Sequence, residues 1–345
     1  MTPVTKRGPN LIPVWVGLCL LVIAVLVLVG TPPATADTPV VLEGAAYVLG
    51  EPFYIGGQDA PIVYPTPQSQ PALQLVRQPD AVGLGNGGQG VVIAVVDSGV
   101  AVNHPYLQGS LTSVRRNFVA GRAPDDVSDV PDGALNKKVG HGTFIAGLIR
   151  MVAPNAQIMP VRVLNGDAMG TADQVAAGVR FAADNGANVI NLSMGTMSAP
   201  SVLKDAVNYA VGKNIVVVAS VGNNNLASIT NPGLYGNVLS VTATDDNDRK
   251  AVFSNYKSEV DVSAPGVNLY STYWDGTWTW GTGTSFSAAL VTGEAALIRA
   301  AYPKLDVPKV RDRIKTRSVN INALNPLYKD KMGKGRIDMY QALLP

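Results

Sequence analysis

Five short runs of apolar, mostly β-branched residues recur along the chain, and helical patterns separate several of them. The runs are 91–96, 158–164, 189–193, 215–219 and 238–242. Such runs are typical of strands that are buried on both faces of a sheet, since neither face of the strand meets water. Strands that alternate with helices form parallel sheets with right-handed crossovers. The sequence therefore predicts an α/β fold, a doubly wound and mostly parallel sheet flanked by helices in three layers.

The composition excludes several classes of protein. The chain has 345 residues, of which 47% are hydrophobic and 15% are charged, and its net charge is +2. Disordered chains combine low hydrophobicity with high net charge, so this chain is expected to fold. Nucleic-acid binding needs clustered basic residues, and no nucleic-acid partner is predicted. The single cysteine excludes an internal disulfide and a multi-cysteine zinc site.

The first 36 residues have the pattern of a secretory signal peptide. Lys6 and Arg7 precede an apolar run over 11–29, and the small residues at 34–36 form a cleavage pattern. The run is also close to the ~20 residues that span a bilayer, so an uncleaved membrane anchor remains an alternative. Both interpretations place the rest of the chain outside the cytoplasm. A membrane is expected as a partner only if this leader is retained.

Polar residues follow the predicted strands at the edge where doubly wound sheets bind ligands. Asp97 ends the first run, and glycine-rich segments with His141 and Ser285 precede predicted helices. A serine hydroxyl attacks a carbonyl when a histidine, oriented by a carboxylate, takes its proton. The other histidine, His104, precedes a proline and is interpreted as structural. Taken singly, each motif also has an ordinary interpretation as a turn or a helix N-cap.

Six motifs in this order resemble those of the subtilases, the subtilisin-like serine proteases. They are AVVDSGV at 94–100, GHGTFIAGLI at 140–149, NLSMG at 191–195, VVVASVGNNN at 216–225, SAPGVNLYST at 263–272 and GTSFSAALVTG at 283–293. The resemblance implies a subtilisin-like fold and a secreted serine endopeptidase that acts through an acyl-enzyme. It also implies a catalytic triad of Asp97, His141 and Ser285. Protein or peptide substrates are expected, with the enzyme a monomer.

The same resemblance implies a set of residues around the substrate. Asn223 matches the side chain that donates to the oxyanion, together with the Ser285 amide. The substrate-binding residues that it implies are Gly170, Ser193, Met194, Gly195, Ala219, Ser220, Val221, Gly222 and Thr230. No acidic residue lies near the expected pocket, so an apolar or mid-sized side chain is predicted before the scissile bond. Asn231–Pro232 aligns with a turn that carries a cis proline.

The resemblance predicts a peptidase domain over 73–345, preceded by a proline-rich arm or short pro-segment over 37–72. That segment is only about half the length of the folded inhibitory prodomain of secreted relatives, so folding is not expected to depend on it. No cofactor is required. The usual calcium sites look absent, although an inserted loop over 119–138 carries four aspartates. We expect a solvated acidic loop there, with calcium binding through carboxylate oxygens as the alternative.

The sequence also suggests two other functions. A secreted protein with the same fold that binds peptides or surfaces without cleaving them is the alternative to an active protease. Every expected catalytic position is occupied by the required residue type, which favours the enzyme. The glycine run over 83–90 suggests dinucleotide binding, but it precedes the strand at 91–96 instead of following it. A phosphate-binding loop needs the opposite order, so this hypothesis fails.

Overall fold

A computed structural model of the chain describes residues 39–41, 66–136 and 138–345. The predicted leader over 1–36 lies outside the described residues, and so does most of the segment over 37–72. The described residues all belong to one compact unit, which spans 37–345. Within them, no helix is both long enough and apolar enough to cross a bilayer.

Strands and helices alternate through most of the described chain. The strands are β1 (Pro39–Val41), β2 (Val92–Asp97), β3 (Arg116–Asn117), β4 (Gln157–Arg162), β5 (Met169–Thr171), β6 (Val189–Leu192), β7 (Val216–Ser220), β8 (Leu239–Thr244), β9 (Val262–Pro265), β10 (Leu269–Thr272) and β11 (Trp278–Gly281). The helices are α1 (Pro71–Leu75), α2 (Gln78–Ala81), α3 (His141–Val152), α4 (Ala172–Asp184), α5 (Ser201–Gly212), α6 (Thr284–Ala301), α7 (Val307–Thr316) and α8 (Met339–Leu343).

Seven strands form one sheet in the order β3-β4-β2-β6-β7-β8-β9, and all neighbouring pairs are parallel. In the register of the central strands, Val95 lies opposite Asn191 and Leu192 lies opposite Ala219. The carboxyl ends of β2, β6 and β7 therefore meet at one edge of the sheet. This is the edge where the sequence predicts the chemistry.

Helices cover both faces of the sheet because successive strand side chains point in opposite directions. In β2, Ile93 and Val95 pack into the hydrophobic cluster that contains residues of α3 and α6. Their neighbours Ala94 and Val96 pack into a second cluster with residues of α4 and α5. Fully burying one such branched side chain contributes about 1.5–3 kcal/mol. The predicted three-layer α/β architecture is confirmed.

The five apolar runs correspond to β2, β4, β6, β7 and β8. Thr171 is the N-cap of α4: its Oγ1 accepts from the Gln174 amide, while Gln174 Oε1 accepts from the Thr171 amide. The edge strand β9 and the helix α7 were not predicted. Only three residues of α7 are buried, Val307, Val310 and Ile314, and most of its other residues are charged. The helix therefore has no continuous apolar run that a local pattern could reveal.

Two small antiparallel sheets lie outside the central one. β10 pairs with β11 in a hairpin. β1, from the proline-rich segment, pairs with β5, and Val40 lies opposite Gly170. The backbone of β1 thus occupies one edge of β5, the strand that contains Gly170. The sequence resemblance implies that Gly170 binds substrate.

Candidate active site

The Asp97 carboxylate and the His141 imidazole form a buried hydrogen-bonded pair. Asp97 ends β2 and His141 begins α3, and Asp97 Oδ1 lies 2.8 Å from His141 Nδ1. The helix approaches the strand closely, since a Cβ on Gly142 would lie 2.2 Å from the Gly99 carbonyl oxygen. The amide of Ser98 donates to the same Asp97 oxygen over 2.7 Å. Among the described residues, His141 Nε2 has no hydrogen-bond partner, so the second ring nitrogen is open to a reacting group.

Ser285 is the second residue of α6 and is buried. The ring of its neighbour Phe286 lies 5.8 Å from the His141 ring, measured between centroids. The Ser285 hydroxyl donates to the carbonyl oxygen of Ser193 over 3.2 Å. Ser193 Oγ in turn donates to the Ser285 carbonyl over 2.9 Å. A rotation about the serine χ1 angle, between staggered wells, moves the hydroxyl away from Ser193.

Asn223 lies against the start of α6. Its Oδ1 accepts from the amide and the hydroxyl of Thr284, both over 2.9 Å. Its Nδ2 is buried and has no partner among the described residues. The Thr284 hydroxyl is thus bound to Asn223 instead of capping α6, whose N-cap is Gly283. The Asn223 Nδ2 group, which remains available for an acceptor, therefore lies near the start of α6, where Ser285 follows Thr284.

A clamp that sequence reasoning missed holds the turn around Asn223. Asn255 Oδ1 accepts from the amides of Asn224 and Leu226, over 3.1 and 2.9 Å. Its Nδ2 donates to the Val221 carbonyl over 3.1 Å, and its own amide donates to Gly222. One buried side chain therefore binds the turn on both sides of Asn223. No local pattern could have revealed it, because Asn255 follows a different strand.

Three of the predicted pocket residues lie together. A Cβ on Gly195 would lie 2.1 Å from Thr230 Oγ1, and a Cβ on Gly222 would lie 3.1 Å from Thr230 Cγ2. Thr230 is buried between the two glycines. The peptide bond between Asn231 and Pro232, which follows directly, is cis as predicted.

The other predicted substrate-binding residues are on neighbouring segments. Ser193 and Met194 follow β6, and the Met194 side chain is buried in the core beside α4 and α5. Ala219 packs into that core too, whereas Val221 packs with Ile229 and Val260. The side chains of these apolar residues therefore belong to the core. Ser220 is buried at the end of β7, and its hydroxyl has no partner among the described residues.

Known proteins share this arrangement of strands and motifs. The sequence profile of the subtilase family matches residues 88–335. The chain belongs to the subtilase family. Subtilisin BL of Lederbergia lenta is 36% identical over 270 residues, which are 75% of this chain and 94% of that protein. Thermitase of Thermoactinomyces vulgaris is 35% identical over 307 residues, covering 86% of this chain and 99% of that protein.

Solved structures agree with the sequence comparison. A structure of proteases from Pseudoalteromonas arctica PAMC 21717 superposes with a TM-score of 0.70 at 28% identity, over 78% of this chain and 93% of that one. A cold-adapted subtilisin-like serine proteinase gives a TM-score of 0.61 at 32% identity, over 67% of this chain and 83% of that one. This subtilase is a serine endopeptidase by family, and its fold is subtilisin-like.

The inserted loop of this subtilase is solvated at Asp125 and Asp132, as the sequence predicted, but not at Asp129. Asp132 Oδ2 lies 2.5 Å from the buried guanidinium of Arg162, and Asp126 pairs with Arg122 over 2.6 Å. Asp129 is 2% exposed, so the expectation of a solvated loop is wrong for this residue. These carboxylates are already paired with arginines or with backbone amides. Among the described residues, no group of three or more potential metal ligands is present.

A partly buried lysine contacts the segment that follows Asn223. Lys250 Nζ donates to Asn225 Oδ1 and to the Ala251 carbonyl, both over 2.9 Å. It also lies 4.8 Å from the ring centroid of Tyr328. Burial lowers the pKa of Lys250 to about 8.

The second histidine, His104, binds the Thr277 carbonyl through Nε2 over 2.9 Å, away from the Asp97–His141 pair. This contact agrees with a structural role.

Proposed function

We propose that this subtilase cleaves peptide bonds with Ser285 as nucleophile, His141 as general base and then acid, and Asp97 as the orienting carboxylate. The observation that carries the proposal is the 2.8 Å contact between Asp97 Oδ1 and His141 Nδ1. A carboxylate on Nδ1 holds the proton there and leaves Nε2 as the basic nitrogen. Once the Ser285 hydroxyl rotates toward Nε2, the imidazole takes its proton while Oγ attacks the carbonyl carbon.

The oxyanion formed in that attack needs donors that are already in place. Asn223 Nδ2 is one candidate, because Thr284 occupies its Oδ1 and leaves the NH₂ group available. The backbone amide of Ser285 is the other, since it lies in the first turn of α6, where amides have no partner within the helix. The positive end of the helix dipole favours negative charge at this point.

The substrate is proposed to bind as an extended strand between Gly170 and the segment from Ser193 to Gly195, in the manner of strand addition. Thr230, between Gly195 and Gly222, limits the depth of the pocket for the side chain before the scissile bond. No charged residue is among the proposed pocket residues. A preference for apolar or mid-sized side chains follows.

The organisation of the chain completes the proposal. Residues 1–36 direct export and are removed, residues 37–72 form a short arm or pro-segment, and 73–345 form the peptidase domain. Residues inside the proposed arm contact that domain: Gln70 exchanges hydrogen bonds of 3.1 Å with the backbone of Tyr270 on β10. The enzyme is proposed to act outside the cytoplasm as a monomer on proteins or peptides, without a cofactor.

Casein hydrolysis by the purified protein, compared with Ser285→Ala, tests the chemistry. Loss of the nucleophile is expected to lower kcat by a factor on the order of 10⁶. Ser287→Ala is the matched control, because Ser287 is a buried serine of the same helix whose hydroxyl binds the Ala264 carbonyl. Equal activity of Ser285→Ala and the wild type overturns the triad. A folded wild type that cleaves no peptide supports the non-catalytic alternative.

Export is tested separately by the mass of the protein recovered from the medium of a secreting host. The expected mature chain begins after Ala36. Recovery only in the membrane fraction, at the full-length mass, would show that the leader is retained as an anchor.

A further inference from the structure

The inserted loop places one carboxylate beneath the Asp97–His141 pair. Asp129 accepts four hydrogen bonds, two on each oxygen. Oδ1 accepts from the Gly140 amide over 3.0 Å and from the Ser98 hydroxyl over 3.2 Å. Oδ2 accepts from the amide and the hydroxyl of Thr143, over 3.1 and 2.8 Å. A buried carboxylate with this many donors is fixed in place.

Two of these bonds supply what the start of α3 lacks. The N-cap of α3 is Gly140, which has no side chain to accept from the first amides of the helix. Helix N-termini leave four such amides without a partner within the helix. Asp129, from a different segment, accepts from the Gly140 and Thr143 amides and so does the work of an N-cap side chain. The helix that begins at His141 is therefore anchored on the loop.

A third bond, from the Ser98 hydroxyl, leads to Asp97. Ser98 donates its hydroxyl to Asp129, accepts from the Gly142 amide over 3.0 Å, and donates its amide to Asp97. The loop itself is packed against this turn, since the Val100 amide donates to the Val127 carbonyl over 2.8 Å. Asp129 is thus one hydrogen bond from Ser98, which contacts Asp97, and one from Gly140 and from Thr143, the residues on either side of His141 and Gly142.

We propose that Asp129 is a positioning residue for catalysis: it sets the distance and angle between Asp97 and His141 by holding Ser98 and the start of α3 at once. The inference rests on the proposed function of that pair. Asp129 touches neither substrate nor reacting atoms, and it acts through its neighbours. A displacement of about 1 Å at a catalytic group can lower the rate by about 10²-fold.

The test measures kcat and KM for a peptide substrate with Asp129→Ala, Asp129→Asn and Ser98→Ala. We expect Asp129→Ala to lower kcat by about 10²-fold while KM changes by less than about 3-fold. Asp129→Asn keeps the shape of the side chain and one acceptor oxygen. Its kcat is expected to be about 10-fold higher than that of Asp129→Ala. Ser98→Ala removes the hydroxyl that joins Asp129 to the Ser98 turn and to the Gly142 amide, while the Ser98 amide stays on Asp97. Its effect should not add to that of Asp129→Ala, as expected for residues of one network.

Asp126→Ala is the matched control, since Asp126 is a carboxylate of the same loop that pairs with Arg122 at the surface. It should keep the wild-type kcat. The proton on His141 Nδ1, observed by ¹H NMR, gives a readout that does not need activity. Its resonance should shift or broaden in Asp129→Ala and stay unchanged in Asp126→Ala.

Rates are expressed per folded molecule, so that a loss of stability is not counted as a loss of catalysis. If Asp129→Ala and Asp129→Asn unfold more easily but keep the control's kcat and its NMR resonance, the positioning role is overturned. If Asp129→Ala does not fold, Asp129→Asn and Ser98→Ala carry the same comparison. Failure of the triad itself would be seen differently, as activity that survives in Ser285→Ala.

Discussion

Ser193 and Ser285 are joined by two hydrogen bonds that run in opposite directions. The Ser285 hydroxyl donates to the Ser193 carbonyl, and the Ser193 hydroxyl donates to the Ser285 carbonyl. The carboxyl end of β6 is therefore tied to the first turn of α6. The resting position of the Ser285 hydroxyl is set by this backbone contact and not by the imidazole.

Ser193→Ala removes the second of these bonds and leaves the first intact. A buried carbonyl that loses its donor costs about 1–3 kcal/mol. We expect kcat to fall by about one to two orders of magnitude, because the backbone of Ser285, the proposed nucleophile, loses a fixed contact. Steady-state kinetics on a peptide substrate measure this fall in kcat. Ser198→Ala, on the same segment but with its hydroxyl bound only to Thr196, should leave kcat unchanged, and an equal loss in both variants contradicts the interpretation.

Asn223→Ala tests the proposed oxyanion donor. Loss of one such donor lowers kcat by about 10²–10³-fold, and KM should change little because the charge develops only in the transition state. Asn224→Ala is the neighbouring control, since the clamp from Asn255 binds the Asn224 backbone and not its side chain. Wild-type kcat in Asn223→Ala would remove this residue from the mechanism.

Gly195→Ala tests the pocket. The added Cβ would lie 2.1 Å from Thr230 Oγ1, so the segment must shift. The kcat/KM for substrates with apolar side chains before the scissile bond should fall by at least about 10-fold, an effect of 1.4 kcal/mol. The double variant Gly195→Ala/Thr230→Gly removes the clash and should recover activity. Gly236→Ala, which meets open space, is the control. If kcat/KM does not recover in the double variant, the pocket does not lie between Gly195 and Thr230.

Glu294→Gln tests a buried carboxyl in the middle of α6. Both oxygens of Glu294 lack partners among the described residues. Burial and, to a lesser degree, the charge of Asp338 raise the pKa of Glu294 well above 4.5. The folded state therefore keeps a proton that the unfolded state loses above about pH 4.5. The free energy of unfolding must fall as pH rises from there to the folded-state pKa.

Glu294→Gln cannot ionise, so its stability should depend less on pH, and it should exceed that of the wild type at alkaline pH. Urea unfolding at about pH 4 and pH 8 measures this difference. Asp312→Asn, an exposed carboxylate of α7, should keep the wild-type dependence. A wild type whose stability does not fall over this range contradicts the prediction.

A chain without residues 37–65 tests the arm. β1 pairs with the strand that contains Gly170, and one strand edge cannot pair with β1 and a substrate together. The shortened chain should refold and show a lower KM for peptides. A synthetic peptide with the sequence of residues 38–43 should inhibit the shortened chain competitively, and a scrambled peptide should not. Failure of the shortened chain to refold, while the full chain does, would contradict the expectation that folding does not need this segment.

Local patterns were enough to predict five of the seven strands of the central sheet, because strands buried on both faces contain continuous runs of β-branched residues. They were also enough to place Asp97, His141 and Ser285 at element ends. The contacts that hold those residues were not predictable in the same way. Asp129 was expected to be solvated, since an aspartate in a polar loop carries no local sign of burial. Asn255 is separated from Asn223 by a strand, and their relationship exists only once β7 and β8 are paired.

The burial of α6 has a consequence for the dynamics of the enzyme. Residues 284–299 are all buried, so Ser285, the proposed nucleophile, is carried by an element in contact with the core on every side. Regions of this kind exchange their amide hydrogens only when the whole domain opens. Fluctuations that admit a substrate must then come from the surrounding loops, while the α6 amides exchange at the rate of global unfolding. Thermal inactivation and global unfolding of this subtilase should therefore share one midpoint.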